Sequence, residues 1–149
     1  MQRRHFLLTA TALFSAGPLR ADAKPILIVS KSPTCDCCTA WVERMHQAGF
    51  QTTVTDVDQD ALYAMKDRLG ITPDLAGCHT ATVGDYFLEG HVHAEDIRRL
   101  LSEAPNALGI TVPGMPMGSP GMDMGGAGGP YDVLLVLKDG STQVYASYS

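Results

Sequence analysis

The residues of this chain best equipped for chemistry are its four cysteines, three of them crowded into Cys35-Asp36-Cys37-Cys38 and the fourth at Cys78. Thiolates are both nucleophiles and soft-metal ligands, so the group points either to thiol–disulfide exchange or to a soft ion. Cys35 and Cys38 have the Cys-x-x-Cys spacing of dithiol redox proteins. Cys37 adds a third thiol next to Cys38. Neighbouring residues at a helix start project in different directions, so one ion does not readily collect all three, and thiolates bridging several ions are the arrangement this spacing favours. Cys78 is followed at once by His79, and thiolates joined by one or more nitrogens suit Cu(I) or Zn. The plainer reading of four cysteines in an exported chain is two structural disulfides, although a bridge between adjacent Cys37 and Cys38 would be strained.

Such residues need elements to hold them. Pro25 to Ser30 is a short β-branched run closed by Lys31-Ser32-Pro33, which predicts a buried strand. From Cys38 to Ala48, the residues Trp41, Val42, Met45 and Ala48 recur at helical spacing, with Gly49 as a stop. Thr52 to Val57 reads as a second strand, and Asp60 is placed to cap a helix ending at Gly70. Cys78 to Val83 and Tyr86 to Glu89 read as a hairpin about Gly84-Asp85, and Ala94, Ile97, Leu100 and Leu101 mark a third helix with Pro105 beyond it. Gly109 to Pro130, rich in Gly, Pro and Met, is expected to be a long structured loop, and Tyr131 to Leu137 with Ser141 to Tyr148 a terminal hairpin. The predicted fold class is α/β. A β-α-β-α unit followed by a hairpin and a helix, with Cys-x-x-Cys between the first strand and helix, is the thioredoxin arrangement in outline: a central mixed sheet with flanking helices. In that arrangement Cys37 and Cys38 sit at a helix start, where free N–H groups favour thiolate. Cys78-His79 takes the place, opposite the cysteine pair, where thioredoxin-type enzymes keep a cis-proline.

Composition narrows the partners. The chain has 149 residues, 45% hydrophobic and 18% charged, with a formal charge of −5. One domain is expected, and the positive field that nucleic-acid binding requires is missing. Residues 1–23 have the layout of an export signal: Arg3 and Arg4, an apolar stretch from Phe6 to Ala16, and a small-x-small site at Ala21-Asp22-Ala23. The apolar stretch is too short to span a bilayer, and Arg3-Arg4-His5-Phe6-Leu7 resembles the twin-arginine signal, which carries folded proteins across the bacterial inner membrane. The domain boundaries are therefore 1–23 for the signal and 24–149 for the working domain, with no stable membrane insertion after cleavage.

Four separated motifs occur in one order: Lys31-Ser32-Pro33-Thr34-Cys35-Asp36-Cys37-Cys38, Gly77-Cys78-His79-Thr80, Glu89-Gly90-His91-Val92, and Gly114 to Met122. Together they closely resemble the CopG-like proteins, formerly a domain of unknown function. The resemblance spans roughly Lys31 to Met122. It implies a thioredoxin-like periplasmic protein of bacterial copper resistance, with copper, chiefly Cu(I), held by Cys35, Cys37, Cys38 and Cys78. Several ions in one cluster, electron exchange by bridged copper thiolates, and exchange with other periplasmic copper-handling proteins follow as expectations. His91 keeps its family place, whereas His93 stands where the family pattern has proline, as an added ligand or a helix cap. His79 is a ligand or a hydrogen-bond partner of one. Of the thioethers Met115, Met117, Met122 and Met124, Met117 and Met122 are favoured for copper contact, against the plainer reading that they plug an apolar groove. His46 is expected at the surface, and Trp41, Tyr86 and Phe87 in the core. The alternatives are a thiol–disulfide oxidoreductase attacking through Cys35 and resolving through Cys38, and a zinc-stabilised or disulfide-stapled binding module. No Ser-His-Asp order, P-loop or paired His-Glu motif supports hydrolase chemistry.

Overall fold

The computed structural model describes residues 24–122 and 128–149; the expected export signal and Met124 lie outside them. Strand β1 (Ile26–Lys31) is followed by α1 (Asp36–Gln47), β2 (Gln51–Asp56), α2 (Gln59–Leu69), the hairpin β3 (Thr80–Val83) and β4 (Tyr86–Glu89), α3 (Ala94–Glu103), β5 (Ala107–Thr111), β6 (Tyr131–Leu137) and β7 (Thr142–Tyr148). All seven strands form one mixed sheet in the order β2-β1-β3-β4-β5-β6-β7. β1 runs parallel to β2 and antiparallel to β3, and β4 runs parallel to β5. The fold class is α/β, as the order of periodic segments predicted.

The apolar run of β1 is buried on one face only. Leu27 and Val29 are fully buried, but Ile26 and Ile28 are about half exposed, because successive side chains of a strand point to opposite faces. The buried face joins α1 through Trp41, Val42 and Met45 and α3 through Ile97 and Leu100, with Leu88, Ile110 and Val133 from the sheet. The opposite face carries a smaller cluster of Ile71, Leu75, Phe87 and Val136 beside the end of α2. Trp41 is wholly buried, and its indole N–H donates to the Val92 carbonyl at 2.8 Å, so its large apolar area is gained without an orphaned donor. Phe87 is in the core as predicted, Tyr86 only half-buried, and His46 exposed.

Three local expectations need correction. The cap of α2 is Asp58, not Asp60: its carboxylate accepts from the Ala61 N–H at 2.7 Å, and Asp60 falls within the first turn. β3 begins at Thr80 rather than Cys78, which leaves Cys78 and His79 on the connection before the sheet. The loop expected from Gly109 begins later, because Ala107–Thr111 is a strand. Its central glycine hid it, yet that glycine is required: a Cβ on Gly109 would lie 2.1 Å from the Phe87 carbonyl oxygen of the neighbouring strand.

Candidate metal centre

The sulfur cluster forms where three connections meet at one end of the sheet. β1 ends at Lys31, the Cys35 N–H donates back to the Ser32 carbonyl at 3.1 Å, and Cys35 becomes the extended N-cap of α1. This puts Cys37 and Cys38 in the first helical turn. Cys38 is fully buried and bonded to Cys35 in a disulfide, while Cys37 and Cys78 are free and half-buried. Antiparallel pairing of β1 with β3, with Ser30 opposite Thr80, carries Cys78 alongside the α1 start. Cys78 Sγ lies 3.4 Å from Cys38 Sγ and 3.8 Å from Cys37 Sγ, and Cys37 Sγ lies 3.6 Å from Cys35 Sγ. All four sulfurs fall within 4.8 Å of one another. The helix start therefore gathers its three cysteines more closely than their spacing suggested.

The histidines divide. His91 Nε2 lies 2.9 Å from Cys78 Sγ, and its Nδ1 donates to the Pro120 carbonyl at 2.6 Å. A carbonyl can only accept, so Nδ1 carries the proton and the Nε2 lone pair faces the sulfur, the tautomer a metal ligand needs. His79 is fully buried between Trp41 and His91, with Nδ1 3.7 Å from Cys78 Sγ and Nε2 buried without a partner among the described residues. Cys78, His79 and His91 thus form a second close group of ligand atoms, also within 4.8 Å. His93 is not part of either group. It occupies the N-cap position of α3 without a side-chain cap bond, and its ring pairs with the Tyr131 hydroxyl at 2.7 Å and stacks on Tyr148 at 3.7 Å. His93 thus takes the helix-cap position that was one of its two expected roles, while its ring joins an aromatic stack. Met117 and Met122, with Met115, line a groove of about 510 Å³ that opens on Cys35 and Cys37.

A pair of glycines makes the approach of Cys78 to His91 feasible. A Cβ on Gly77 would sit 2.5 Å from Gly90 Cα, and one on Gly90, which has φ +69, would sit 2.5 Å from the Val112 carbonyl oxygen. The residues just after them, Cys78 and His91, inherit that closeness. Gly90→Ala is expected to destabilise the fold by about 2–4 kcal/mol from crowding and left-handed backbone together. Denaturant unfolding measures it, and a loss below about 1 kcal/mol would mean that the loops part without cost.

Residues 75–122 match the model of a family described as a protein of unknown function, DUF411. No curated protein matches the chain. Two solved structures, of a copper resistance protein CopG in its forms 1 and 2, are each 36% identical to the chain and cover 85% of it; the chain covers 98% and 100% of theirs, with TM-scores of 0.78 and 0.79. The chain belongs to the CopG copper-resistance family. The cysteines gathered at this end of the sheet are a group that could hold a metal ion. Among the described residues, no helix is long and apolar enough to cross a membrane.

Beneath the sulfur cluster lies a polar network that the sequence reading missed. Lys66 and Glu89 are almost fully buried and form an ion pair. Lys66 Nζ also donates to the Gly77 carbonyl at 3.2 Å and the Thr80 hydroxyl oxygen at 3.0 Å, while the Gly77 N–H and the Thr80 O–H donate to Glu89 at 2.7 and 2.6 Å. Both backbone polar atoms of Gly77, the residue before Cys78, are thereby clamped. The available signal was a lysine on the inward face of α2, one turn beyond Leu62.

Burial tunes the titrating groups of the site. It pushes the Cys78 thiol up to about 12, reinforced by Cys37. It holds His79 well below the ordinary histidine value, helped by His91, Lys66 and Lys31, and it lowers His91 against the opposing hydrogen bond to Pro120. As pH falls through the unfolded histidine value of about 6.5, the unfolded chain gains protons that the folded imidazoles refuse, so stability falls. As pH rises past about 8.5, the unfolded Cys78 ionises while the folded thiol does not, and stability falls again. The metal-free disulfide form is therefore expected to melt highest at about pH 7–8. A melting temperature that rises steadily from neutral pH toward about pH 5 would contradict this assignment.

Proposed function

We propose that this protein is exported to the periplasm by its 1–23 signal, of twin-arginine type, and binds copper there as Cu(I) on a thioredoxin-like scaffold. Its ligands are Cys35, Cys37, Cys38 and Cys78 in their reduced state, bridging several ions in one cluster and so contributing to copper resistance. The observation that carries the reading is the gathering of four sulfurs within 4.8 Å, a spacing that suits thiolates shared between neighbouring soft ions. Copper is cargo in this reading. Exchange with other periplasmic copper-handling proteins proceeds past the Met115, Met117 and Met122 groove, since thioethers are soft donors that hold Cu(I) weakly. Bridged copper thiolates also give the site a route to electron exchange between copper states.

The test is elemental analysis with a parallel thiol count on the reduced, anaerobically isolated domain. More than one copper per chain, with thiols protected from alkylation until a Cu(I) chelator is added, is the expected result. A reduced protein that takes up no Cu(I) would overturn the reading.

The second reading, thiol–disulfide exchange, draws on the Cys35–Cys38 disulfide and on a cleft of about 530 Å³ that opens on Cys35 and Cys78. Robust insulin reduction by the metal-free protein would favour it.

A further inference from the structure

The two groups of ligand atoms at the site overlap in a single residue. One comprises Cys35, Cys37, Cys38 and Cys78; the other comprises Cys78, His79 and His91. Only the first loses donors when Cys35 and Cys38 are joined, as they are in this structure. The thiolate is the metal ligand, so a disulfide withdraws two of the four sulfurs. It leaves free Cys37 and Cys78, which lie 3.8 Å apart.

We propose that the redox state of the Cys35–Cys38 pair selects between two metal sites that share Cys78. The reduced pair gives a four-sulfur site, and the disulfide leaves a mixed sulfur–nitrogen site of Cys78, His79 and His91, with Cys37 beside it, that retains a single copper ion. This rests on the copper reading above and adds a second site with a different donor set and capacity.

Two observations support a nitrogen-containing site independently of the sulfurs. His91 is preset as a ligand, because its Nδ1–H donates to the Pro120 carbonyl and leaves the Nε2 lone pair 2.9 Å from Cys78 Sγ. His79 is fully buried and brings its Nδ1 to 3.7 Å from the same sulfur. Two imidazoles and one or two thiolates make a mixed set suited to one borderline or soft ion, whereas four thiolates suit a cluster. Oxidation then unloads the chain in part, from several ions to one. Joining the two thiols releases two protons and two electrons; a small-molecule disulfide accepts them and leaves as two thiols.

The experiment prepares the full chain in two forms, fully reduced and carrying only the Cys35–Cys38 disulfide, with the pairing checked by peptide mapping. Each is titrated anaerobically with Cu(I) against a competing Cu(I) chelator. The disulfide form is expected to hold about one copper per chain and the reduced form more. In wild-type disulfide protein, X-ray absorption should detect nitrogen as well as sulfur neighbours of the copper. His91→Ala is expected to weaken binding by the disulfide form at least ~10-fold, the lower end of losses seen even for outer-shell partners, while the reduced form keeps its capacity. A disulfide form that holds no copper, all-sulfur coordination in that form, or equal losses from His91→Ala in both forms would overturn the inference. So would pairing of Cys37 with Cys78 as soon as Cys35 and Cys38 are joined. Failure of the reduced form to bind Cu(I) is a different result, which strikes the four-cysteine reading instead.

Discussion

Cys78→Ser is expected to remove more copper than the loss of any other single sulfur. Cys78 belongs to both groups of ligand atoms, approaches Cys38 at 3.4 Å and Cys37 at 3.8 Å, and faces His91. A serine hydroxyl is a hard, neutral donor with little affinity for Cu(I). Loading of the reduced chain should therefore fall below that of wild type, and the affinity of what remains should weaken by at least ~100-fold, the upper end of what outer-shell changes alone produce. The fold should survive, because Cys78 is only half-buried, lies outside the sheet, and is free of disulfide bonding. Copper content measured against a competing chelator, with circular dichroism as the control, checks this. Unchanged copper in a folded variant would remove Cys78 from the site.

The second large effect is one of stability. Lys66→Met leaves Glu89 buried without its cation and frees the Gly77 carbonyl, so the expected loss is about 3–5 kcal/mol, the range for breaking a buried pair from one side. For a chain of this size that is a fall in melting temperature of about 10–20 °C. The double variant Lys66→Met with Glu89→Leu should recover part of the loss, because no buried charge is then left alone. A single variant that melts within about 2 °C of wild type would show that the pair contributes nothing net. The loss should reach the site as well, since Glu89 and Lys66 hold the two backbone polar atoms of Gly77.

Local pattern made much of the fold legible. Trp41, Val42 and Met45 at helical spacing located α1, and Gly70 marked the end of α2 by adopting φ +75. β5 was hidden because its central residue is Gly109, whose value lies in contact with Phe87 rather than in strand propensity. The cysteines identified themselves by residue type and spacing. The orientation of His91 did not, because it depends on the Pro120 carbonyl, 29 residues further along the chain. His93 shows the same limit from the other side. Its departure from the family pattern drew attention to it, but its partners Tyr131 and Tyr148 lie on the terminal hairpin, which no local pattern connects to the start of α3. Lys66 escaped notice because a lysine in a helix is ordinarily solvated, and only the arrival of Glu89 from β4 makes its burial sustainable.

The pairing of β1 with β3 also sets an order of events. Cys38 and Cys78 are 40 residues apart and meet only because Ser30 is paired with Thr80. Closing a loop of that length precedes any contact between them. The complete site therefore cannot nucleate the fold and exists only after the sheet has assembled. A nascent chain that meets copper can engage Cys35, Cys37 and Cys38 alone, as a local chelate without its fourth sulfur. Copper supplied during refolding should accordingly trap such a species, whereas copper supplied after refolding should fill the site, a difference that stopped-flow mixing in the two orders would expose.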